Sequence, residues 1–150
     1  MTFFISGFPG VGKTHFKEKF AHLCTDSDSS LFSKLKDGSP NPSFIEDYFK
    51  HLKSLEDKDT PLVFISTHEA VLEELKRRGM SFTIVIPKET LKEEYLERYQ
   101  RRGSPKSFID LLDSNWTPWL SDIKSKYTNY YELEQGESLT DYLIETYESF

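Results

Sequence analysis

Four residues near the start of the chain have the types and spacing that phosphate binding requires. Residues 7–14 read Gly-Phe-Pro-Gly-Val-Gly-Lys-Thr and fit G-x-x-x-x-G-K-[ST] at each fixed position. Glycines let the backbone wrap so that successive N–H groups point at a phosphate, and a helix that begins near Lys13 adds its positive end. The sequence therefore predicts a nucleoside-triphosphate site formed by Gly7, Gly10, Val11, Gly12, Lys13 and Thr14.

Two side chains of this loop have separate predicted roles. Lys13 is long enough to reach the β- and γ-phosphates as a point charge, and the Thr14 hydroxyl is placed to ligate a Mg²⁺ ion between them. ATP and Mg²⁺ are therefore the expected ligands. The alternative is a glycine turn before an ordinary helix, and the strand-to-helix context of the fixed residues disfavours it.

A pair of carboxylates follows the second predicted strand, His22–Thr25. Because the carboxyl ends of parallel strands face one crevice, Asp26 and Asp28 are expected near the loop. We predict that Asp26 organises the Mg²⁺ water shell through Thr14 and that Asp28 binds an acceptor hydroxyl and takes its proton. The alternative is a polar turn, for which Asp and Ser are common residues.

Three arginines lie together near the end of a helix that Gly103 terminates. Arg98, Arg101 and Arg102 share about a third of the helix circumference. On a closing lid they would neutralise a phosphoryl group in transfer and exclude water. The alternative is a solvated helix end, where Arg98 pairs with Glu94 and Arg101 with Glu97 at i, i+4 spacing. Both interpretations stay open at this point.

Strands and helices that would position these residues alternate along the whole chain. The predicted strands are continuous and apolar rather than alternating, as parallel strands buried on both faces are. We predict a single domain, residues 1–150, with a three-layer α/β fold and a five-stranded parallel sheet. The strands after the first are expected at His22–Thr25, Pro61–Ser66, Ser81–Ile86 and Tyr127–Leu133.

Helix boundaries are predicted from capping residues and apolar spacing. Ser43, Thr90 and Ser138 are expected N-caps, the first two as capping boxes with Glu46 and Glu93. Residues 108–123 keep helical phase through Pro118, which predicts either one kinked helix or two helices that meet there.

Several other residues have a functional and a structural interpretation. His68 could meet a substrate anion beyond the third strand or occupy the first turn of a helix. Trp116 and Trp119 could stack on a base, but their helical spacing favours the core. Cys24 is expected to be a small buried apolar residue. Residues 31–42 are either a loop or a substrate flap.

Composition bounds the class of protein. The net charge is −6 with a pI near 5.3, which disfavours nucleic-acid partners because polymer affinity comes mostly from Lys and Arg. The one nucleic-acid partner left open is the end of a nucleic-acid strand, held by a local basic patch. Cys24 is the single cysteine, which fits a reducing compartment. The chain shows no membrane span or signal peptide, so we expect a cytoplasmic protein. Oligomeric state is not indicated.

The loop, the acidic pair and the arginine helix together resemble the small P-loop kinases of nucleotides and metabolites, a group that includes adenylate, shikimate and gluconate kinases. The resemblance implies a nucleotide-kinase-like P-loop NTPase fold, places the lid arginines at Arg98, Arg101 and Arg102, and places the adenine-contacting loop near Glu134–Ser138. The whole chain also resembles uncharacterised kinase-like proteins of bacteriophages and Gram-positive bacteria.

Asp26-x-Asp28 is most similar to shikimate kinase, where the corresponding acids serve Mg²⁺ organisation and substrate hydroxyl binding. Here residues 66–69 replace that family's glycine run, and the chain has no arginine between Asp28 and Arg77. Shikimate is therefore not the expected acceptor. The expected activity is transfer of the γ-phosphoryl group of ATP to a nucleoside, a nucleotide or a similar hydroxyl compound. The alternatives are an ATP-binding regulatory protein without transfer activity and a polynucleotide 5′-hydroxyl kinase.

Overall fold

The strand that precedes residues 7–14, the predicted phosphate-binding loop (called the phosphate loop below), lies at the centre of a five-stranded parallel sheet. The computed structural model describes residues 2–27, 34–65 and 67–146. Within these ranges the strand order is β2-β3-β1-β4-β5, and all four neighbouring pairs are parallel. The strands are β1 (Phe3–Gly7), β2 (Cys24–Ser27), β3 (Leu62–Ile65), β4 (Phe82–Pro87) and β5 (Tyr130–Leu133). The predicted α/β fold with a five-stranded parallel sheet is confirmed.

Six α-helices are described between and after the strands. They are α1 (Lys13–Lys19), α2 (Phe44–Asp57), α3 (Glu69–Arg77), α4 (Lys92–Arg101), α5 (Lys106–Lys126) and α6 (Leu139–Thr146). A short 3₁₀ turn at Glu89–Leu91 precedes α4. No helix in the described ranges is long and apolar enough to cross a membrane.

The helices cover opposite faces of the sheet in two groups. Helix α1 contacts α6, whereas α2 contacts α3 and α4 contacts α5. The connection from β1 to β2 runs towards the β2 edge of the sheet. The connections from β2 to β3, from β3 to β4 and from β4 to β5 run towards the β5 edge. Because crossovers between parallel strands are right-handed, α1 lies on one face and α2 to α5 on the other. The direction reverses at β1, and open α/β sheets bind ligands outside the carboxyl end of such a strand.

Burial explains why the central strands are continuous apolar runs. All four residues of β3 are buried, as are the last four residues of both β1 and β4. Phe64 of β3 packs edge-on against Phe16 of α1, with ring centroids 5.6 Å apart. A strand covered on both faces has no position for an exposed polar side chain, so its sequence does not alternate.

The second strand lies two residues later than predicted. It runs from Cys24 to Ser27 instead of His22–Thr25, so Asp26 lies within the strand, paired with Phe64 in register. The Leu23 N–H donates to the Phe20 carbonyl, so this part of the chain still closes the turn after α1. β2 is an edge strand, and an edge tolerates an exposed carboxylate where a central strand does not.

Other boundaries also differ from the prediction. Tyr127 ends α5 rather than beginning the last strand, which starts at Tyr130. Helix α5 is one helix of 21 residues that contains Pro118. Ser43 is the N-cap residue of α2 as predicted, but it makes no side-chain capping bond. Thr90 lies inside the 3₁₀ turn, and Leu91 is the N-cap residue of α4. The Ser138 cap is confirmed, since its hydroxyl accepts from the Asp141 N–H at 3.3 Å.

A buried hydrogen bond fixes the end of β2. Tyr48 of α2 is fully buried, and its hydroxyl donates to the Ser27 carbonyl oxygen at 2.6 Å. We expect Tyr48→Phe to lower the free energy of unfolding by about 1–2 kcal/mol, because a buried acceptor loses its donor. Urea denaturation followed by circular dichroism measures this loss.

Tyr142→Phe is the matched control for this experiment. The Tyr142 ring stacks on Tyr131 at 4.3 Å, and its hydroxyl has no acceptor among the described residues. Its removal should change the free energy of unfolding by less than about 0.5 kcal/mol. Equal losses in the two variants would show that the bond to Ser27 does not stabilise the fold.

Candidate functional site

Three consecutive carbonyl groups of the phosphate loop are held from outside the loop. The Tyr99 hydroxyl donates to the Pro9 carbonyl at 2.6 Å, and the Arg98 guanidinium donates to the Gly10 carbonyl at 2.6 Å. The Leu139 N–H of α6 donates to the Val11 carbonyl at 2.9 Å. A peptide unit points its N–H opposite to its carbonyl, so the outward carbonyls of Pro9 and Val11 leave the N–H groups of Gly10 and Gly12 pointing inward. The Val11 N–H instead donates to the Phe8 carbonyl at 3.2 Å and closes the turn. Inward N–H groups suit a phosphate.

Two glycines are needed for this conformation. Gly10 has φ 90° and Gly12 has φ 108°, values in the left-handed region that other residues rarely adopt. A Cβ atom on Gly10 would also lie 2.9 Å from the Tyr99 ring and 3.2 Å from the Tyr95 ring. Gly10 is therefore required for the docking of α4 as well as for the turn.

The loop also places its one cationic side chain over its first glycine. Lys13 begins α1, and a Cβ atom on Gly7 would lie 3.1 Å from the Lys13 Cδ atom. Lys13 is half-buried, and the Thr14 side chain next to it is exposed. The first N–H groups of a helix have no partner within it. The Lys13 ammonium and the start of α1 thus form a donor set that suits phosphate oxygens.

The helix that carries the predicted lid arginines docks on the loop through Arg98. The Arg98 guanidinium lies over the Tyr95 ring at 4.2 Å and pairs with Glu94 at 3.5 Å. Arg101 is exposed and pairs with Glu97, and Arg102 lies 5.0 Å from the centre of the Tyr99 ring. Arg98–Glu94 and Arg101–Glu97 are the two ion pairs predicted for a solvated helix end, and both are present.

Burial extends the pH range over which the tyrosine anchor stays protonated. Tyr99 is fully buried, and desolvation raises its pKa well above the usual value for tyrosine. Desolvation also raises the pKa of Tyr95, against the opposing charge of Arg98. The Tyr99 hydroxyl therefore stays a donor to the Pro9 carbonyl throughout the physiological pH range.

The structure places Asp26 beside α1. Its carboxylate lies 3.4 Å from the Lys17 ammonium, and both side chains are partly exposed. Asp28 lies outside the described residues. The described residues contain no group of three or more His, Cys, Asp or Glu side chains that could hold a metal ion. A Mg²⁺ ion here would take the Thr14 hydroxyl, waters and phosphate oxygens, which are the ligands this ion prefers.

The segment predicted to contact adenine lies next to the loop. Residues 134–138 form the turn between β5 and α6, closed by the Glu137 N–H, which donates to the Glu134 carbonyl at 3.0 Å. A Cβ atom on Gly12 would lie 3.9 Å from the Ser138 Cβ atom. The contact with adenine stays a prediction.

The remaining sequence candidates separate into core and surface residues. Trp116 is fully buried, and its indole N–H donates to the Glu89 carbonyl at 2.9 Å. Trp119, three residues later, is 39% exposed. His68 is the N-cap residue of α3. Cys24 lies half-buried in β2, and desolvation raises the pKa of its thiol, which disfavours the nucleophilic thiolate.

Sequence reasoning missed the residues that hold the loop in place. Helical spacing in the sequence predicts only that Tyr95 and Tyr99 share an apolar helix face and that Leu139 belongs to a final helix. The available signal was the placement of Arg98 beside the two tyrosines, because i, i+3 and i+4 neighbours share one helix face. That pattern indicates a face that packs on something polar, but it does not identify the phosphate loop.

Comparison with known proteins identifies the fold. No family model and no curated protein sequence matches the chain. Among solved structures it is similar to the Deinococcus radiodurans tunicamycin resistance protein, with a TM-score of 0.63 and 17% sequence identity over 97% of this chain and 91% of that chain. The likeness shows that the two proteins share an α/β fold. The resemblance to bacteriophage and Gram-positive proteins stays a prediction.

The anchor from α4 leads to a prediction about ground-state binding. We expect Arg98→Ala to weaken binding of a non-hydrolysable ATP analogue about 10- to 100-fold, because a hydrogen bond to a charged group contributes roughly 1.5–3 kcal/mol and its loss frees the Gly10 carbonyl. Isothermal titration calorimetry measures the affinity, and circular dichroism checks the fold.

Arg101→Ala is the matched control on the same helix. It removes the same charge, but from an exposed side chain that pairs with Glu97 and not with the loop. Its affinity for the ATP analogue should stay within about twofold of the parent, since exposed ion pairs contribute little. Equal affinities in the two variants would mean that the Arg98 anchor does not organise the loop.

Proposed function

We propose that this protein is an ATP- and Mg²⁺-dependent phosphotransferase that moves the γ-phosphoryl group to a small acceptor, which is a nucleoside, a nucleotide or a similar hydroxyl compound. The observation that supports this most directly is the anchored loop. The carbonyls of Pro9, Gly10 and Val11 are all engaged from outside, and Lys13 lies over Gly7.

The proposed division of labour follows from the position of each group. The inward N–H groups and Lys13 bind the β- and γ-phosphates, and Thr14 holds the Mg²⁺ ion. Bound Mg²⁺ supplies positive charge that neutralises the phosphates and orients them. In this proposal Asp26 organises the water shell of Mg²⁺. In the structure the Asp26 carboxylate pairs with Lys17 of α1, the helix that begins at the loop.

The transfer step needs a base when the acceptor is a hydroxyl compound. The acceptor oxygen forms a bond to the γ-phosphorus as the bond from that phosphorus to the bridging oxygen breaks, and ADP leaves. The acceptor proton passes to Asp28, the base assigned from the sequence. We also propose that Arg101 and Arg102 stabilise charge on the phosphoryl group in transfer, while Arg98 first holds the loop.

Two alternatives remain as outcomes of the experiments. An ATP-binding regulator would bind the nucleotide through the same loop without transfer. A polynucleotide 5′-hydroxyl kinase would transfer to the end of a strand, although the net charge of −6 disfavours that partner. ATP turnover against nucleosides, nucleotides and oligonucleotide 5′-hydroxyl ends separates all three.

The first test of the proposal is Lys13→Ala. We expect transfer to fall by about 10²–10³-fold, the usual effect of removing one preorganised donor, with weaker binding of the ATP analogue. The free energy of unfolding should change by less than about 0.5 kcal/mol, because Lys13 faces the loop and not the core. Lys19→Ala, at an exposed position of the same helix, is the control. Unchanged affinity and turnover in Lys13→Ala would rule out the phosphate site.

A second test separates the two carboxylates. Asp26→Asn should weaken Mg²⁺-dependent nucleotide binding and turnover together, because it acts through the metal. Asp28→Asn should leave ATP binding nearly intact and lower transfer to a hydroxyl by about 10²–10⁴-fold, the usual contribution of a general base. Nucleotide affinity and single-turnover rate are measured for both variants.

The outcome of this pair distinguishes kinase from regulator. If neither variant changes affinity or rate, the acidic pair is a turn and the hydroxyl-kinase mechanism fails. If the protein is a regulator, Asp26→Asn weakens Mg²⁺-dependent nucleotide binding, and the parent protein transfers no phosphoryl group. For an acceptor that is already a phosphate, Asp28→Asn would give a smaller loss of rate, since no hydroxyl proton has to be removed.

A further inference from the structure

A cleft between α3 and α5 adjoins the phosphate loop. Its volume is about 500 Å³. Sites for small molecules are typically about 300–1,000 Å³. Phe8, the loop residue after Gly7, forms one wall. Residues 67 and 68 between β3 and α3 and Glu69, the first residue of α3, contribute to the lining. The Phe8 N–H donates to the Val85 carbonyl of β4 at 3.0 Å, so the cleft and the loop are fixed to the same central strands. A molecule in this cleft would contact the loop at Phe8.

The interior of the cleft is apolar and includes an aromatic side chain that is partly exposed to solvent. Phe8, Leu72 and Ile123 are buried residues of its lining. Trp119 also lines it and is 39% exposed, whereas Trp116 on the same helix is fully buried. A flat ring that enters the cleft can stack on Trp119 and bury apolar area against the other three side chains.

The rim of the cleft carries an excess of negative charge. The Lys126 ammonium lies 2.6 Å from a Glu69 carboxylate oxygen and 3.2 Å from an Asp122 carboxylate oxygen. One ammonium thus pairs with two carboxylates, and one negative charge is left over. Carboxylates accept hydrogen bonds from hydroxyl groups. A phosphate at the same place would be repelled and would have to compete for a lysine that is already paired.

Resting on the function proposed above, we propose that this cleft holds the body of the phosphoryl acceptor, and that the acceptor is an uncharged compound with a flat ring and free hydroxyl groups. Nucleosides belong to this class, and nucleotides do not. The flat ring lies on Trp119, hydroxyl groups donate to Glu69 or Asp122, and the hydroxyl that reacts is directed past Phe8 towards the loop.

Direct binding tests the cleft without any transfer reaction. Isothermal titration calorimetry is done with adenosine, guanosine, cytidine and uridine, each beside its 5′-monophosphate, on the full chain saturated with a non-hydrolysable ATP analogue. We expect at least one nucleoside to bind about tenfold more tightly than its monophosphate, because the added charge is repelled by the rim. No binding by any nucleoside, or a monophosphate that binds as tightly, overturns the proposal.

Variants of the cleft identify where the nucleoside binds. Trp119→Ala should weaken its binding about tenfold, because the stacking surface is lost. Trp119→Phe should recover most of the affinity. Leu111→Ala is the control, since Leu111 is 50% exposed on the same helix but does not line the cleft. Equal affinities in the two alanine variants place the nucleoside elsewhere and overturn the proposal.

A charge variant tests the basis of the discrimination. Glu69→Gln combined with Asp122→Asn leaves Lys126 as an unpaired cation at the rim. We expect the monophosphate to bind about tenfold more tightly to this double variant than to the parent, so that the preference for the nucleoside is lost. A preference that survives both substitutions shows that the rim charge does not select the acceptor.

These results separate the cleft from the proposed reaction. If nucleosides bind in a Trp119-dependent way but no transfer from ATP is found, the phosphotransferase proposal fails and the cleft assignment stands. If transfer is found and the KM of its acceptor is the same in Trp119→Ala as in the parent, the phosphotransferase stands and the cleft assignment fails.

Discussion

The phosphate loop depends on hydrogen bonds made to its carbonyl groups from outside. A glycine-rich loop is flexible by itself. Its carbonyl oxygens can turn to the inner side of the loop, where a phosphate would bind. Here Tyr99 and Arg98 of α4 hold the carbonyls of Pro9 and Gly10, and the start of α6 holds the carbonyl of Val11. The direction of these three carbonyls is therefore set by tertiary packing, made by two helices that come roughly 90 and 130 residues later in the chain.

This anchoring limits what the arginine helix can do. The Arg98 guanidinium already donates to the Gly10 carbonyl and to a Glu94 carboxylate oxygen, so any contact that it made with a phosphoryl group would compete with the bonds that hold the loop. The three arginines are thus not equivalent. Arg98 is held between the loop and the Tyr95 ring, whereas Arg101 is on the exposed side with Glu97. If α4 moves as a lid, its movement and the order of the loop are coupled, because the same side chain takes part in both.

The sequence predicts what is local and misses what depends on distant contacts. The loop was predictable because its fixed residues lie within eight positions, and the central strands because burial on both faces makes them continuous. The anchors were not, since Arg98 and Gly10 are 88 residues apart. Helical phase placed Trp116 and Trp119 together in the core, but only Trp116 is fully covered, because phase gives the direction of a side chain and not what lies opposite. The second strand was misplaced because Asp26 reads as a turn residue, although an edge strand accepts it.

The distribution of charge gives the two proposed subsites opposite signs within an acidic protein. The loop offers an ammonium and the positive end of α1, while the neighbouring cleft has two carboxylates against one lysine. Both regions meet at Phe8. If the proposed function holds, a triphosphate would be attracted to the loop and repelled from the cleft, so that a second nucleotide would not block the acceptor side. An acceptor that carries its own phosphate loses this advantage, because it would be attracted to the loop in place of the donor. The same arrangement of charge that orders the two sites therefore also favours an uncharged acceptor.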